Sequence, residues 1–362
     1  MDAAFLVFAA VFGAITGSFL NAVIHRLPRG IGLGSPRRSF CPNCGKTVPW
    51  HENLPVVGWL LLRGKCSVCG WAIPTRYPLV EALTAVFFAG LWFWFGAPLA
   101  FCYWVFAALL IAGTFIDFEH FIIPDSITWG GAAAGILLSV LVPEMMGSHV
   151  RWEAAVWSLI GAAAGFLSVW AIVEAGKLAF GRIRHSFAES ETFEWVREGD
   201  SAMLRIGTEE LRWEDIFSRR GDVLRIKAAG GFQVDGRDYA EGELVFRFDR
   251  LEAGGEGFVL DSISRISGRM SQVVIPREAM GFGDVKFMAC IGAFLGWQSI
   301  LFVLFAGSVV GAVAGVAGMF LAKDRSGARL PFGPFLALGA LGWLFGGREL
   351  AQWYFSAWRG VF

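Results

Sequence analysis

Met280-Gly-Phe-Gly-Asp-Val-Lys286 is a short stretch that stands directly before an apolar run over residues 287–321. The run is long enough to enter a lipid bilayer, so Asp284 lies at the mouth of a predicted membrane helix. Gly281 and Gly283 leave room for another backbone or an extended peptide to come close. An ionisable residue at a membrane helix end predicts function, although an Asp that only caps the next helix gives the same pattern.

A second carboxylate has a matching setting. It lies in Thr114-Phe-Ile-Asp-Phe-Glu-His-Phe-Ile-Ile-Pro-Asp125, where Asp117 stands at the end of an apolar run. Two Asp side chains within hydrogen-bond range share one proton, since both cannot ionise cheaply. One can then act as general base on a water while its protonated partner activates a peptide carbonyl. We therefore interpret Asp117 and Asp284 as a candidate catalytic pair for peptide hydrolysis.

The charged residues near this pair have competing interpretations. Asp125 follows Pro124 and begins the next apolar run, which suits a helix N-cap as well as a catalytic residue. Glu119 and His120 lie between the two acids in sequence and are either interfacial or tune the site. Lys286 is two positions after Asp284, so on a helix it points elsewhere, to anchor the helix or to bind a lipid phosphate or a substrate carboxylate.

The composition excludes an ordinary soluble protein. Hydrophobic residues make up 55% of the chain and charged residues only 17%, and 16 Trp with 34 Phe suit many membrane–water interfaces. The formal net charge is zero, so no global basic field suggests a nucleic-acid partner. Residues 181–280 nevertheless hold 19 of the 31 acids and 15 of the 31 Lys and Arg residues. We therefore expect a membrane body with one water-soluble module inserted into it.

The apolar runs predict an all-α polytopic membrane protein with about eight transmembrane helices. The first covers residues 3–24; a signal peptide is the competing interpretation, although Asp2 and the lack of a basic n-region disfavour it. The others are Leu79–Phe95, Pro98–Ile116, Ile127–Val142, Ala154–Gly176, two runs divided at Gly296-Trp-Gln-Ser299, and Phe332 to about Phe345 after the polar turn 323–329.

The basic residues predict how the chain is oriented. Segment 25–76 holds eight Lys and Arg residues, Arg37 and Arg38 among them, against one acid, Glu52. Basic loops stay cytoplasmic, so we expect this segment inside and the N-terminus outside. Eight spans then put both termini outside and both Asp117 and Asp284 at the cytoplasmic rim.

Within residues 182–276 the pattern changes to short alternating runs such as Asp222-Val-Leu-Arg-Ile-Lys227 and Glu243-Leu-Val-Phe-Arg-Phe248, which predict strands. Glycines 230, 231, 236, 254, 255 and 257 separate these runs. We expect five parts: a first transmembrane helix (1–24), a cytoplasmic cysteine domain (25–77), transmembrane helices 2–5 (78–180), a small β-rich cytoplasmic insert (181–279) and transmembrane helices 6–8 (280–362).

Four cysteines form two pairs, Cys41-Pro-Asn-Cys44 and Cys66-Ser-Val-Cys69, with 21 residues between them. Two such knuckles, each followed by a glycine, can surround one Zn²⁺ tetrahedrally. A disulfide is the alternative, but the basic flanks place the segment in the reducing cytoplasm. Four thiolates leave no open position, so the metal would be structural. His51 is interpreted as a surface residue, and Cys102 and Cys290 as core residues.

At this point the residues resemble the type IV prepilin peptidases (prepilin leader peptidase/N-methyltransferase), membrane aspartic proteases of the Gly-x-Gly-Asp type. The resemblance rests on several motifs in the same order: Gly17-Ser-Phe-Leu-Asn21, the paired CxxC segment, Arg76-Tyr-Pro-Leu-Val-Glu81, Ile116-Asp117 with Ile123-Pro-Asp125, Gly281-Phe-Gly-Asp-Val-Lys286, and Pro331-Phe-Gly-Pro-Phe335. Together these cover nearly the whole membrane portion.

The resemblance implies that Asp117 and Asp284 are the catalytic pair, with Gly281, Gly283, Lys286, Pro124 and Asp125 as supporting motif residues. It implies type IV prepilin or type II secretion pseudopilin substrates, cleaved after a Gly on the cytoplasmic side of the inner membrane. It also implies S-adenosylmethionine-dependent N-methylation of the new N-terminus, for which no binding residues are assigned. Insert 181–280 departs from the pattern, and contact with pilus or secretion machinery is one role for it.

Two functions of other classes remain open from the sequence. A transporter would use intramembrane carboxylates to carry protons or ions, although such groups often lie near the bilayer midplane and accompany internal repeats. A metal-folded, catalytically silent scaffold of a pilus or secretion machine is the other class. Within the peptidase class, an enzyme without methyltransferase activity is a narrower alternative.

Overall fold

The computed structural model describes residues 3–34, 39–180, 182–198, 201–207, 209–217, 222–276, 281–321 and 330–359. Asp2, Arg37, Arg38, Met280 and the polar turn 323–329, which the sequence analysis uses, lie outside the described residues. The chain divides into two units, one formed by Met1–Trp170 with Gly281–Phe362 and the other by Ala171–Met280. The boundaries of the five parts expected from the sequence stay a prediction.

Helices account for the first unit. In chain order the α-helices are α1 (Ala3–Arg26), α2 (Val57–Leu61), α3 (Arg76–Phe95), α4 (Leu99–His120), α5 (Asp125–Leu141), α6 (Arg151–Phe180), α7 (Trp213–Ile216), α8 (Phe282–Leu295), α9 (Ser299–Leu321), α10 (Gly333–Gly342) and α11 (Arg348–Arg359). Short 3₁₀ turns occupy Leu27–Arg29, Pro143–Met146 and Leu260–Ser262, and a π-helical segment, Trp343–Gly347, joins α10 to α11. Of these, α7 belongs to the second unit, and α6 crosses from one unit into the other.

Five helices are long and apolar enough to cross a membrane: α1, α3, α4, α6 and α9. Helix α5 is a shorter apolar helix. The remaining two segments that the sequence assigns to spans are α8, with 14 residues, and α10, with 10. At 1.5 Å per residue they are about 21 and 15 Å long, less than the roughly 30 Å of a bilayer core. The chain is therefore a multi-helix membrane protein. The short lengths of α8 and α10 do not establish the expected eight crossings.

The last predicted span differs from the structure at its C-terminal end. We expect an apolar run to about Phe345, whereas helical structure continues through the π segment and α11 to Arg359. Phe345 and Gly346 have non-helical backbone angles, so the chain bends there. Helix α11 carries charged residues among its aromatic ones, which is why hydropathy alone does not extend the span to it.

Helix α8 is the most enclosed helix of the described membrane unit. Ten of its 14 residues are buried, so it presents little surface to lipid. Two glycines bring it against α6, because a Cβ on Gly161 would overlap the carbonyl oxygen of Gly292. On the α5 side, a Cβ on Gly131 would lie 2.5 Å from the sulfur of Cys290. Small residues therefore allow close helix contact at these two crossings.

The second unit is an antiparallel sheet. Its strands are β1 (Arg182–Glu198), β2 (Ser201–Ile206), β3 (Glu209–Arg212), β4 (Leu224–Val234), β5 (Arg237–Tyr239), β6 (Glu243–Phe246), β7 (Arg250–Ala253), β8 (Glu256–Val259) and β9 (Arg265–Pro276). The strand order is β3-β2-β1-β9-β4-β6-β7-β8, with β5 paired to β4. Because the first and last strands pair from Arg182↔Pro276 onward, the sheet can be inserted at one place in a chain.

Alternation within these strands builds the sheet's core. Phe193 and Trp195 on β1 are each 1% exposed, and they belong to the same buried cluster as Ile226 and Phe246. The predicted strands 222–227 and 243–248 are confirmed, since β4 and β6 overlap them. Gly230 and Gly231, however, do not end a strand: they lie inside β4, where its register against β9 shifts between Ala228 and Phe232. Gly230 has a φ of +96°, which a glycine adopts without steric strain, so it accommodates the bulge in β4.

The α6–α8 crossing gives a first prediction. Gly161→Leu places a side chain where the backbone of Gly292 stands, so we expect destabilisation of about 1–3 kcal/mol and a lower Tm in detergent. The matched control is Gly130→Leu on α5, because no atom of the described chain would lie within 4 Å of a Cβ at that glycine. Equal Tm values for the two variants would contradict the close crossing.

Candidate functional site

Asp117 and Asp284 come from two helices that pack side by side, as the stacked rings of Phe106 and Phe294 show. Asp117 lies in the last turn of α4, and Asp284 lies in the first turn of α8. Their exposed fractions are 5% and 8%, so both carboxyl groups are buried. The two groups also interact electrostatically across the 167 positions that separate them in sequence. The structure thus brings together the two acids that the sequence analysis paired.

Ile123 packs against two glycines near the acids, Gly283 and Gly333. It lies in the short connection between α4 and α5. A Cβ on Gly283 would stand 3.4 Å from the backbone nitrogen of Ile123, and one on Gly333 would stand 2.9 Å from its Cδ1. The start of α8 therefore lies in van der Waals range of this connection. Gly281 has a different position: it is exposed and accepts a hydrogen bond from the backbone N–H of Asp284, at 3.1 Å.

Gly333 is a site residue to which sequence reasoning assigned no role. Its backbone N–H donates a 3.0 Å hydrogen bond to Oδ2 of Asp117. Gly333 is the first residue of α10, where backbone N–H groups have no partner within their own helix. A Cβ at this position would lie 2.6 Å from the same carboxylate oxygen, so glycine alone allows the approach. The available signal was the motif Pro331-Phe-Gly-Pro-Phe335, but its 216-residue distance from Asp117 hid the contact.

The supporting residues Lys286, Asp125 and Pro124 lie at the starts of α8 and α5. The ammonium group of Lys286 is 2.5 Å from Oδ1 of Asp125, so it bridges α8 and α5. The N-cap interpretation of Asp125 is wrong: Pro124 occupies the cap position and no side chain caps the helix. Asp125 is instead the first residue of α5, where its negative charge suits the helix dipole.

Glu119 and His120 also lie near the end of α4. Glu119 accepts two hydrogen bonds from the guanidinium group of Arg76, at the start of α3. The imidazole Nε2 of His120 is 4.0 Å from the carboxylate of Glu119. These contacts tie α3 to α4, and neither residue is shown to touch Asp117 or Asp284. The interfacial interpretation accounts for what the structure records of them.

The four paired cysteines converge on one point. Their sulfur atoms all lie within 4.8 Å of one another, with Cys41 and Cys69 3.8 Å apart and Cys44 and Cys66 4.0 Å apart. A tetrahedral site with metal–sulfur bonds of about 2.3 Å separates its sulfurs by about 3.8 Å, whereas a disulfide needs about 2.05 Å. All six cysteines are free, so the disulfide alternative is wrong. The donor set fits a single metal ion, and His51 is not part of it.

Each knuckle builds its half of this cluster in the same way. Gly45 donates its N–H to the carbonyl of Cys41, and Gly70 does so to Cys66, at 2.8 and 3.0 Å. Both glycines have a φ of +70°, which favours glycine at that place in the turn. Hydrogen bonds from the Asn43 amide and the Trp71 backbone lower the pKa of the Cys69 thiol to about 6. A low thiol pKa favours the thiolate form that metals bind, whereas burial and the three neighbouring thiols raise the pKa of Cys44 to about 11.

Comparison with known proteins agrees with this arrangement. The profile of the bacterial peptidase A24 N-terminal domain matches residues 11–95, and that of the type IV leader peptidase family matches residues 104–184 and 253–316. Together the matched segments contain Asp117, Asp284 and all four clustered cysteines. The chain belongs to the type IV leader peptidase family.

Three curated relatives of this leader peptidase family member each match at least 90% of the chain. The prepilin leader peptidase/N-methyltransferase of Aeromonas hydrophila is 28% identical over 380 residues, covering 96% of this chain and 92% of the relative. That of Myxococcus xanthus (strain DK1622) is 31% identical over 330 residues, covering 90% and 66%. That of Stutzerimonas stutzeri is 26% identical over 370 residues, covering 94% and 90%. No solved structure matches the chain.

The cysteine cluster gives a second prediction. Cys41→Ser and Cys66→Ser each remove a thiolate ligand, so we expect purified protein to lose its one equivalent of bound metal, measured by elemental analysis. Cys102→Ala, a buried cysteine of α4 outside the cluster, is the control and should keep the metal. Wild-type protein that binds no metal after reconstitution would rule out the assignment.

Proposed function

We propose that this type IV leader peptidase family member is a bifunctional membrane aspartic endopeptidase and N-methyltransferase. It cleaves the leader peptide of type IV prepilins or type II secretion pseudopilins and methylates the new N-terminus. The relatives from Aeromonas hydrophila and Stutzerimonas stutzeri are named prepilin leader peptidase/N-methyltransferase, and the chain aligns with 92% and 90% of their lengths. The observation that carries the peptidase assignment is the meeting of two buried carboxyl groups, from Asp117 and Asp284, at adjoining helix ends.

The surroundings of the two acids support a division of roles. The N–H of Gly333 donates to Asp117, and a hydrogen bond to a carboxylate favours its charged form. Asp284 has a backbone hydrogen bond of the same kind, from Gly281, so each acid has a contact that favours its charged form. One of the two acids, as the general base, takes a proton from the attacking water. The other holds the shared proton and donates a hydrogen bond to the scissile carbonyl as its oxygen gains charge. The proton then passes to the leaving amine. Because water is the nucleophile, no covalent bond forms between enzyme and substrate.

Glycines around the pair leave space for the substrate. Gly281 is exposed at the start of α8, and Asp284 lies three residues further along the chain. An extended peptide can approach a glycine backbone more closely than any other residue. The Lys286–Asp125 pair links α8 to α5 on the same side of the site and holds the first turn of α8 in place. These residues act on the reaction by positioning the two acids.

The placement of the chain in the membrane is part of the proposal. Eight helical segments, α1, α3, α4, α5, α6, α8, α9 and α10, cross or enter the bacterial inner membrane, with both termini outside. The two acids and the cysteine cluster then face the cytoplasm, as the excess of Lys and Arg in segment 25–76 favours. Prepilin leaders are basic and cytoplasmic in the family, so this side is where the substrate's cleavage site would lie.

Two groups would complete the protein. Zn²⁺ suits the cysteine cluster because four thiolates at tetrahedral spacing are its usual structural site. Such a closed site stabilises the fold of residues 41–69 and leaves hydrolysis to the carboxyl groups. S-adenosylmethionine is the methyl donor that N-methyltransferase activity implies. For the inserted sheet, contact with the pilus or secretion machinery stays a prediction.

The dyad gives a third prediction. Asp117→Asn and Asp284→Asn each remove one member of the acid–base pair at nearly constant shape, so we expect prepilin cleavage by purified enzyme to fall by about 1000-fold or more. Asp249→Asn, the same exchange at an exposed position between β6 and β7, is the control and should cleave at the wild-type rate. A dyad variant that retains the wild-type rate would remove that residue from the mechanism.

Gly333 gives a fourth prediction. In Gly333→Ala the added methyl group displaces the Asp117 carboxylate, so kcat should fall by about 10-fold or more while KM changes little. The control is Gly318→Ala on α9, because no described atom stands within 4 Å of a Cβ at that glycine. A Gly333→Ala enzyme with unchanged kcat would show that the backbone contact has no part in positioning Asp117.

A further inference from the structure

A second concave site lies in the membrane unit, built from parts that the peptide-cleavage mechanism does not use. It is enclosed by α1, the start of α3 and the cysteine segment, and its empty volume, open mouth included, is about 1100 Å³. Cys41 and Cys66 line one side of it. It is also lined by Asn21 and Glu81, the last residues of the motifs Gly17-Ser-Phe-Leu-Asn21 and Arg76-Tyr-Pro-Leu-Val-Glu81.

Gly17 explains how the two motifs come together. A Cβ at this position would lie 2.7 Å from Cα of Glu81, so glycine lets α1 approach α3 at this level. One helical turn further along α1, the amide nitrogen of Asn21 donates a 3.0 Å hydrogen bond to the carbonyl of Tyr77. This bond fixes the orientation of the Asn21 amide, because only its NH₂ group can donate to a carbonyl.

The fixed amide leaves an acceptor without a donor. Oδ1 of Asn21 is buried and has no hydrogen-bond partner among the described residues, while Asn21 as a whole is 2% exposed. A buried acceptor left unpaired costs free energy of about 1–3 kcal/mol, so it needs a partner that the described chain does not supply. A hydrogen-bond donor on a ligand in the pocket, which Asn21 lines, would supply that partner.

Glu81 adds a carboxylate to this acceptor. It is 7% exposed, and its Oε2 accepts a 2.7 Å hydrogen bond from the backbone N–H of Val56. Ser18 on α1 also donates to it. Val56 has a φ of +60°, an unfavourable conformation for a β-branched residue, and this conformation directs its N–H at Glu81. Strain of this kind, about 1–3 kcal/mol, is found where the surroundings hold a functional group in place.

Cations that also line the pocket have partners of their own. Lys46 bonds to Glu52 and to Ser67, and these contacts link the two cysteine knuckles. Arg26 donates to the carbonyl oxygen of Leu33. The Glu81 carboxylate therefore keeps its capacity to accept further hydrogen bonds from a ligand. A ligand that satisfies both Glu81 and Oδ1 of Asn21 must present several N–H groups and tolerate a negative neighbour, which describes a primary amine.

We propose that this pocket binds the free α-amine of the cleaved substrate for methyl transfer. Asn21 and Glu81 accept hydrogen bonds from the N–H groups of this amine. The inference rests on the proposed function, since peptide cleavage at the Asp pair creates the amine that N-methylation consumes. Glu81 takes a proton from the bound ammonium group, which frees the nitrogen lone pair. Transfer then forms an N–C bond and breaks the S–C bond of a sulfonium donor, whose sulfur keeps the electron pair. The proton released from nitrogen leaves through Glu81.

Glu81→Gln is the matched test because the amide oxygen can still accept from Val56 while the negative charge is lost. We expect methylation of a pre-cleaved pilin peptide to fall by about 100-fold or more, the scale of a lost general base, with prepilin cleavage and metal content unchanged. Wild-type enzyme that neither cleaves nor methylates would count against the proposed function itself. Normal cleavage with unaltered methylation in Glu81→Gln would overturn only the amine site.

A binding measurement separates the amine of the peptide from other amines. The probe is a synthetic peptide with the mature pilin N-terminus, free or N-acetylated, titrated into detergent-solubilised Asp117→Asn enzyme by calorimetry. We expect the free peptide to bind at least about 10-fold more tightly than the acetylated one, and Glu81→Gln to abolish the difference. Asn21→Ala should reduce the difference in affinity between the free and the acetylated peptide.

The methyl donor carries an amino group as well, so its product is the second arm. S-adenosylhomocysteine has this amine and 5′-methylthioadenosine lacks it. Glu81→Gln could weaken the binding of S-adenosylhomocysteine but not of 5′-methylthioadenosine, while the enzyme still prefers the free peptide to the acetylated one. That result would mean that the pocket holds the donor's amine, and it would overturn the proposal. Unchanged S-adenosylhomocysteine affinity together with a lost peptide preference supports it.

Discussion

The whole arrangement depends on two carboxyl groups buried beside one another at adjoining helix ends. Burial disfavours the charged form of an acid, and a like charge nearby disfavours it further. Asp117 and Asp284 are 5% and 8% exposed, so the fold must hold them together against both effects. It supplies the N–H of Gly333 to Asp117 and a backbone hydrogen bond from Gly281 to Asp284, contacts that favour a negative charge at the pair. A pair with one charge and one proton is what acid–base hydrolysis of a peptide requires.

Glycine contacts make this pair geometrically possible. Helix α8 carries Asp284 and is enclosed by α5 and α6 through crossings in which a Cβ would meet backbone or sulfur atoms. Gly333 has the same function at the pair itself, and Gly17 has it at the second pocket. Tightly packed helices hold functional side chains more precisely than loops do. The two sites thus follow one principle, in which small residues bring polar groups from different helices into contact.

The sequence predicts those features that depend on local patterns. Apolar runs locate α4 and α9, alternation locates β4 and β6, and CxxC spacing brings four sulfurs to one point. It does not predict contacts between distant segments, such as Gly333 with Asp117 or Lys286 with Asp125, because 216 and 161 residues separate the partners. The motifs around Asn21 and Glu81 are visible in the sequence, yet their shared pocket depends on how α1 packs against α3. Gly230 shows a further limit, since a glycine at a bulge looks like a glycine at a turn.

Proximity of the two acids is the central claim, and cross-linking tests it most directly. The chain would carry Asp117→Cys with Asp284→Cys, with Cys102 and Cys290 changed to Ala, and be treated in membranes with a short bismethanethiosulfonate reagent. A reference pair, Asp284→Cys with Met146→Cys, spans opposite ends of α8, since Met146 lies beside Gly296. The account predicts an intramolecular link, identified by mass spectrometry, between positions 117 and 284 and none in the reference pair. Absence of the 117–284 link while both cysteines react singly with a monofunctional reagent would contradict it.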